Sequence, residues 1–268
     1  MWLGLASRAL SVRTGREHTF VHPPWIRQEA LALAADGIND TEIARRLGVP
    51  RATVRYWRRP RYVPQTDRAG RVCPRCWRPM RRLAFSATDY AELLGLYLGD
   101  GHISISARTQ MLRLSLDAKY PTVNDETEAL LRRCFPDNRV GRVLLDRGST
   151  VVLYVYSRHL ACLFPQAGPG KKHARAIALE PWQAEYVAAA PWAFLRGCIR
   201  SDGCAFVNRT GPYEYLTYDF YNLSAPIRQL FVDVCRGLGL ACRPAGNRVR
   251  VNRRDSVERL LEHVGVKT

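Results

Sequence analysis

The 268-residue sequence predicts an α+β chain of two matching halves preceded by a small all-helical module, and three observations carry that prediction. First, two apolar, helix-like segments end in the same Asp-Gly pair: Leu93-Leu94-Gly95-Leu96-Tyr97-Leu98-Gly99-Asp100-Gly101 and Leu195-Arg196-Gly197-Cys198-Ile199-Arg200-Ser201-Asp202-Gly203. Second, the pattern after each is the same: two alternating segments, a helical one, two more alternating segments and a final helix. Third, a stretch before residue 60 carries apolar residues at helical spacing under a dense arginine charge.

The elements follow in order. Residues 1–23 are polar and aperiodic, and His22-Pro23-Pro24 interrupts any helix, so a flexible tail is expected. Between Trp25 and Arg59, Ile26, Ala30, Leu33 and Ala34 make one helical face, Gly37 ends it, and Asn39 or Asp40 caps a second helix carrying Ile43, Ala44 and Leu47. Gly48-Val49 turns the chain, and Pro50 opens a third helix with Val54 and Trp57 inward. That leaves Arg51, Thr53, Arg55, Tyr56, Arg58 and Arg59 outward, on a helix suited to the DNA major groove. The plainer reading is a three-helix bundle with a solvated basic face. Residues 61–85 are rich in Pro, Gly and Arg and read as a basic linker.

The first half, 86–180, is expected to place strands at 102–106 and 110–117, a helix at 121–134, and strands at 138–145 and 151–156. The second, 181–268, is expected to place strands at 205–209 and 213–221, a helix at 225–238, and strands at 241–244 and 248–252. Asp117 and Asn222 each stand four residues before a proline, Pro121 or Pro226, that opens the middle helix. Gly95 and Gly99, like Gly197 and Ser201, lie four apart and line one helix face. Packing of the two helices through these small faces would bring Asp100 and Asp202 together at their C-terminal ends. Adjacent carboxylates repel unless a cation lies between them.

Composition narrows the partner. The formal charge of +17 and pI near 10 call for a polyanion. Double-stranded DNA suits it better than lipid, because no apolar run is long enough to span a bilayer and Arg8 interrupts the only apolar start. A cytoplasmic, nucleoid-associated protein is therefore expected. Residues 1–85 hold seventeen arginines, no lysine and six acids. Lysine occurs four times in the chain, as Lys119, Lys171, Lys172 and Lys267. Eight cysteines without framework spacing suit reduced thiols. Cys73 and Cys76 have the spacing of a zinc knuckle, but zinc needs two further ligands, which Cys198, Cys204, His102 or His173 could supply only through the fold; a degenerate ribbon or an ordinary loop is the alternative. A nucleobase deaminase is excluded, since no His-x-Glu occurs and Val72 stands where a proline is required before Cys73.

The twin nonapeptides resemble the defining signature of the LAGLIDADG homing endonucleases. The resemblance covers roughly residues 86–268 and departs from the signature at Leu94, Arg196, Cys198 and Arg200, positions expected to face away from the helix contact. It implies two half-domains forming a DNA-binding saddle, a monomer with pseudo-two-fold symmetry, and Asp100 and Asp202 as the metal-binding acids, with Mg2+ (or Mn2+) as the ion. It implies staggered cleavage of both DNA strands, with Lys172 and Lys267 reaching the scissile phosphates and Lys171 and His173 as local substitutes. Lys119 would contact DNA backbone. Sheet residues His102, Ser104, Ser106, Arg113, Ser115, Asn208, Tyr215, Thr217, Asp219, Arg248 and Asn252 are candidates for base contacts, with register undetermined. Residues 24–60 resemble a helix-turn-helix DNA-binding module, through Ile43-Ala44, Leu47-Gly48-Val49 and Thr53-Val54-x-x-Trp57. The alternative function is a helix-turn-helix transcription regulator using a catalytically inactive LAGLIDADG domain as a platform. Retention of both acids and the lysines favours the enzyme.

Overall fold

The computed structural model describes residues 24–58, 85–106 and 109–268. The expected tail, most of the linker, Cys73, Cys76 and Arg59 lie outside the described residues. The chain divides into two compact units between Gln65 and Thr66.

The first unit is three helices: α1 (Pro24–Ala35), α2 (Asp40–Leu47) and α3 (Arg51–Trp57). Ala30, Ile43, Val49 and Val54 form its buried centre, closed by Leu33, Ala44, Leu47 and Trp57. Asn39 is the cap of α2, its Oδ1 accepting from the backbone N–H groups of Thr41 and Glu42 at 3.1 and 3.0 Å. Gly48, at φ 62°, ends α2 in the left-handed region and makes the tight turn into α3. Pro50 occupies the cap position, one residue before the first helical turn.

The second unit is written twice. The first half runs α4 (Ala87–Asp100), β1 (Gly101–Ile105), β2 (Gln110–Asp117), α5 (Pro121–Cys134), β3 (Val140–Leu145), β4 (Thr150–Ser157) and α6 (Leu160–Leu163). After α7 (Pro181–Ala189), the second half runs α8 (Pro191–Asp202), β5 (Gly203–Thr210), β6 (Tyr213–Tyr221), α9 (Ala225–Gly237), β7 (Arg243–Ala245), β8 (Arg248–Val251) and α10 (Arg254–His263). Both sheets are antiparallel with the same order, β1-β2-β4-β3 and β5-β6-β8-β7. The halves differ in their closing helix. In the first it is the single turn α6, because Pro165, Pro169 and their neighbouring glycines cannot continue it. The extra helix α7 packs on α4 and leads directly into α8.

α4 and α8 form the central pair. Nine consecutive residues of α4, Tyr90 to Leu98, are buried, so this helix has no solvated face. The small residues permit close contact between backbones: a Cβ on Gly197 would lie 2.1 Å from the Glu92 carbonyl oxygen, and one on Gly95 would lie 2.5 Å from that of Phe194. The departures from the signature do not face away from this contact. Arg196 Nε and Arg200 Nη1 reach across to Glu92 on α4, at 3.0 and 2.6 Å, and Arg200 also pairs with Glu126 on α5. They neutralise a carboxylate that α4 would otherwise bury unpaired. Cys198 and Leu94 are core residues. One continuous apolar core joins both sheets to this helix pair.

Registers fix the two open sheet faces. In the first sheet Leu112, Leu114, Leu116, Val151, Leu153 and Val155 face the core, so His102, Ser104, Met111, Arg113, Ser115, Tyr154 and Tyr156 share the opposite face. In the second, Tyr218, Phe220, Val249 and Val251 face the core, and Cys204, Phe206, Asn208, Tyr215, Thr217, Asp219, Tyr221, Arg248 and Arg250 share the other face.

Candidate functional site

The contact of α4 with α8 brings the two Asp-Gly ends together. A Cβ on Gly99 would lie 3.1 Å from Asp202 Oδ2, so the second acid stands beside the last turn of the first motif. Burial, and then the neighbouring Asp202 carboxylate, push the Asp100 carboxyl up to about 7. Burial also raises Asp202, opposed by a hydrogen bond from Asn222, whose Nδ2 donates to Asp202 Oδ2 at 2.6 Å.

Two lysines meet this acid pair from the chain segments that follow each half. Lys172, in a 3-10 turn at Lys172–Ala174, donates from Nζ to the carbonyls of Gly99 at 2.5 Å and Tyr97 at 2.6 Å. Lys267 Nζ donates to the carbonyl of Ser201 at 2.6 Å. Gly99 and Ser201 are the residues just before the two acids, so the lysines occupy equivalent places on unsatisfied carbonyls at the two helix C-termini. Burial lowers the Lys172 ammonium to about 8, and lowers Lys267 as well; the two carboxylates oppose both shifts. Asp202 acts on Lys172 more strongly than Asp100 does, and Asp100 acts more strongly on Lys267. Each lysine thus holds the helix end of its own half and is coupled most to the acid of the other.

The remaining sequence candidates distribute as follows. Lys171 and His173 flank Lys172 and are exposed. Lys119 pairs with Asp117 at 2.7 Å and lies 4.8 Å from the centre of the Tyr120 ring, which Lys267 approaches at 5.6 Å from Nζ. It therefore stands beside Lys267, off the sheet face. Arg113 lies on the open face of the first sheet and Arg248 on that of the second. Ser106 and Asn252 lie beyond their strands, and the Ser106 hydroxyl donates to the Thr109 carbonyl. Thr217 and Asp219 are buried, and Asp219 takes both Nε and Nη2 of Arg250, at 2.7 and 2.8 Å. In the first unit Arg51, Arg55 and Tyr56 are exposed, Arg58 is tied to Asp40 in an ion pair, and Thr53 is half-buried, against expectation, because it sits on the side of α3 adjoining Val54. Among the described residues no three metal-ligating side chains converge, so Cys198, Cys204, His102 and His173 form no zinc site with one another.

Sequence reasoning missed two residues. Asn222 was marked only as the echo of Asp117, and that echo was the available signal for its contact with Asp202. Arg175 lies close enough to Tyr97, His102 and Lys172 to oppose positive charge there, and no sequence signal separates it from the other arginines.

Residues 23–60 match the family model of the homeodomain-like domain. Comparison with curated protein sequences finds no match. Structural neighbours include LAGLIDADG homing endonucleases and WhiA. Mesophilic variants of the homing endonuclease I-DmoI are 14% identical with a TM-score of 0.46, over 67% of this chain and 96% of that one. Full-length DUF199/WhiA from Thermatoga maritima is 15% identical with a TM-score of 0.45, over 69% of this chain and 58% of that one. The homing endonuclease I-WcaI, solved bound to its DNA recognition sequence, is 13% identical with a TM-score of 0.42, over 68% of this chain and 83% of that one.

Proposed function

We propose that the chain binds double-stranded DNA and hydrolyses a phosphodiester bond in each strand, as a monomer, with a divalent metal ion held by Asp100 and Asp202. The observation that carries this reading is the pair of half-buried acids at abutting helix ends, each half supplying one acid and one lysine. A fold has no structural use for two neighbouring carboxylates that burial drives towards the neutral form. A cation removes that cost, and carboxylate oxygens with open positions suit Mg2+ or Mn2+ rather than a thiophilic metal. Bound there, such an ion supplies positive charge for non-bridging phosphate oxygens and acidifies water.

The protein's own groups do the rest. The Lys172 and Lys267 ammonium groups, anchored on backbone carbonyls, hold positive charge next to the acids and can donate to an oxygen on which charge develops. Asn222 holds one oxygen of Asp202 in place and leaves the other open. The three-helix unit, with exposed Arg51, Arg55 and Tyr56, adds affinity for the duplex. A regulator that only binds DNA would gain nothing from the paired acids, so that reading is not favoured.

The test is incubation of the full chain with Mg2+ and a library of duplex targets. Metal-dependent cutting of both strands is expected. Intact binding without any metal-dependent cut would overturn the enzyme reading.

A further inference from the structure

The two open sheet faces share their topology and both expose tyrosines, Tyr156 on the first and Tyr213, Tyr215 and Tyr221 on the second, but they differ in aliphatic side chains and in charge. On the first, β3 and β4 present Val143, Leu145, Tyr154 and Tyr156, with Met111 of β2 directly opposite Tyr156. Val143, Leu145 and Tyr156 are 42%, 45% and 47% exposed and together make an apolar strip where an open antiparallel face ordinarily carries polar side chains. The strip is built rather than incidental. Gly141 stands opposite Tyr154, where a Cβ would lie 2.2 Å from the ring, so only glycine lets that ring lie across the edge strand. Arg113, paired with Tyr154, is the one arginine among the described residues of this face.

The second face carries Arg243, Arg248 and Arg250. Arg243 and Arg250 are directly opposed across β7 and β8, an arrangement that is unfavourable without an anion. Asp219 is the single carboxylate there among the described residues. It takes the fork of Arg250, while Arg248 stays 3.8 Å away, beyond hydrogen-bond reach, against the Tyr221 ring. Positive charge is left over, presented from a rigid strand pair.

We infer that the chain reads an asymmetric duplex, with thymine-rich sequence under the first sheet and guanine-bearing sequence under the second; this rests on the DNA-binding reading above. In the major groove thymine alone offers a methyl group, which apolar side chains contact, and guanine offers the O6 and N7 acceptors that match an arginine fork. Val143, Leu145 and Tyr156 supply the first kind of contact. Arg243 and Arg248 supply the second, with Asp219 and Arg250 bracing the strands that carry them. The charge difference between the faces argues for different half-sites within one polyanionic partner, not for an apolar protein partner, because the two sheets share one core in one compact unit.

The experiment selects bound duplexes from a random pool with the full chain in the absence of Mg2+, and then alters single atoms of the selected target. Replacing thymine by deoxyuridine removes only the methyl and is expected to weaken binding about fourfold per contacted base. Replacing guanine by 7-deazaguanine is expected to weaken it roughly 5- to 150-fold. Val143→Ser, Leu145→Ser and Tyr156→Ser together should abolish the first sensitivity alone, and Arg243→Ala with Arg248→Ala the second alone, with thermal unfolding of both variants checked against the parent. Sensitivities that persist in these variants would mean that the helical module reads the bases and would overturn the inference. So would a bound pool with no base preference. Failure of the parent chain to bind any duplex would instead overturn the DNA-binding reading beneath it.

Discussion

Asn222 donates to Asp202 at 2.6 Å, while its counterpart Asp117 turns to Lys119 and, among the described residues, Asp100 has no equivalent donor. The two halves therefore present unequal acids. Asn222 opposes protonation of Asp202, and Asp100, lacking such a donor, is the one pushed up to about 7. Asn222→Ala is expected to slow the cut on one strand about tenfold and the other little, so supercoiled plasmid should accumulate as nicked circles. Equal slowing of both cuts would show that the asymmetry has no kinetic consequence.

The raised Asp100 carboxyl ties stability to pH. Its folded-state value lies above the ordinary 3.8, so between those values the folded chain holds a proton that the unfolded chain has released. Stability of the metal-free protein should fall as pH rises from about 4 to about 7 and then level off with respect to this group. Asp100→Asn should remove that slope and raise stability at neutral pH by on the order of 2 kcal/mol, while abolishing cleavage. Mg2+ should raise the Tm of the parent and not of this variant. Calorimetry across pH, with and without the ion, checks all three.

The helix contact has its own test. Gly197→Ala would set a methyl 2.1 Å from the Glu92 carbonyl oxygen and should cost about 3 kcal/mol, because backbone must move. Gly237→Ala, at the end of α9 with open space around it, should stabilise by about 0.5–1 kcal/mol. Thermal denaturation of the pair separates close helix approach from general helix propensity.

Lys172→Met keeps the length of the side chain and removes the donor to Gly99 and Tyr97. Cleavage should fall about 10²- to 10³-fold with DNA affinity nearly unchanged. A parallel loss of affinity would assign the lysine to binding instead.

Arg55 is exposed on α3. Arg55→Ala should weaken duplex binding and reduce the slope of log affinity against log salt by about 0.9 if its partner is a phosphate. Titrations at several salt concentrations decide the point.

Much of this architecture is legible in the chain itself. The prolines Pro121 and Pro226 mark the starts of α5 and α9, alternation marks β2 and β6, and Asn39 and Gly48 punctuate the first unit, because each acts within a few residues of itself. The repeat doubled the signal at Asp100 and Asp202. Where sequence reading failed, a distant partner was responsible. Arg196 and Arg200 were expected to face away and instead neutralise Glu92, about a hundred positions earlier.

The sequence by itself determined the twofold plan, the paired small faces and the identity of the two acids, because local periodicity and backbone preference are written residue by residue. Only the tertiary structure decided which lysine holds which helix end, which acid Asn222 serves and which side chains share an open sheet face. Those depend on register and on contacts between segments remote in the chain, and a shift of one residue in register would have reversed every face.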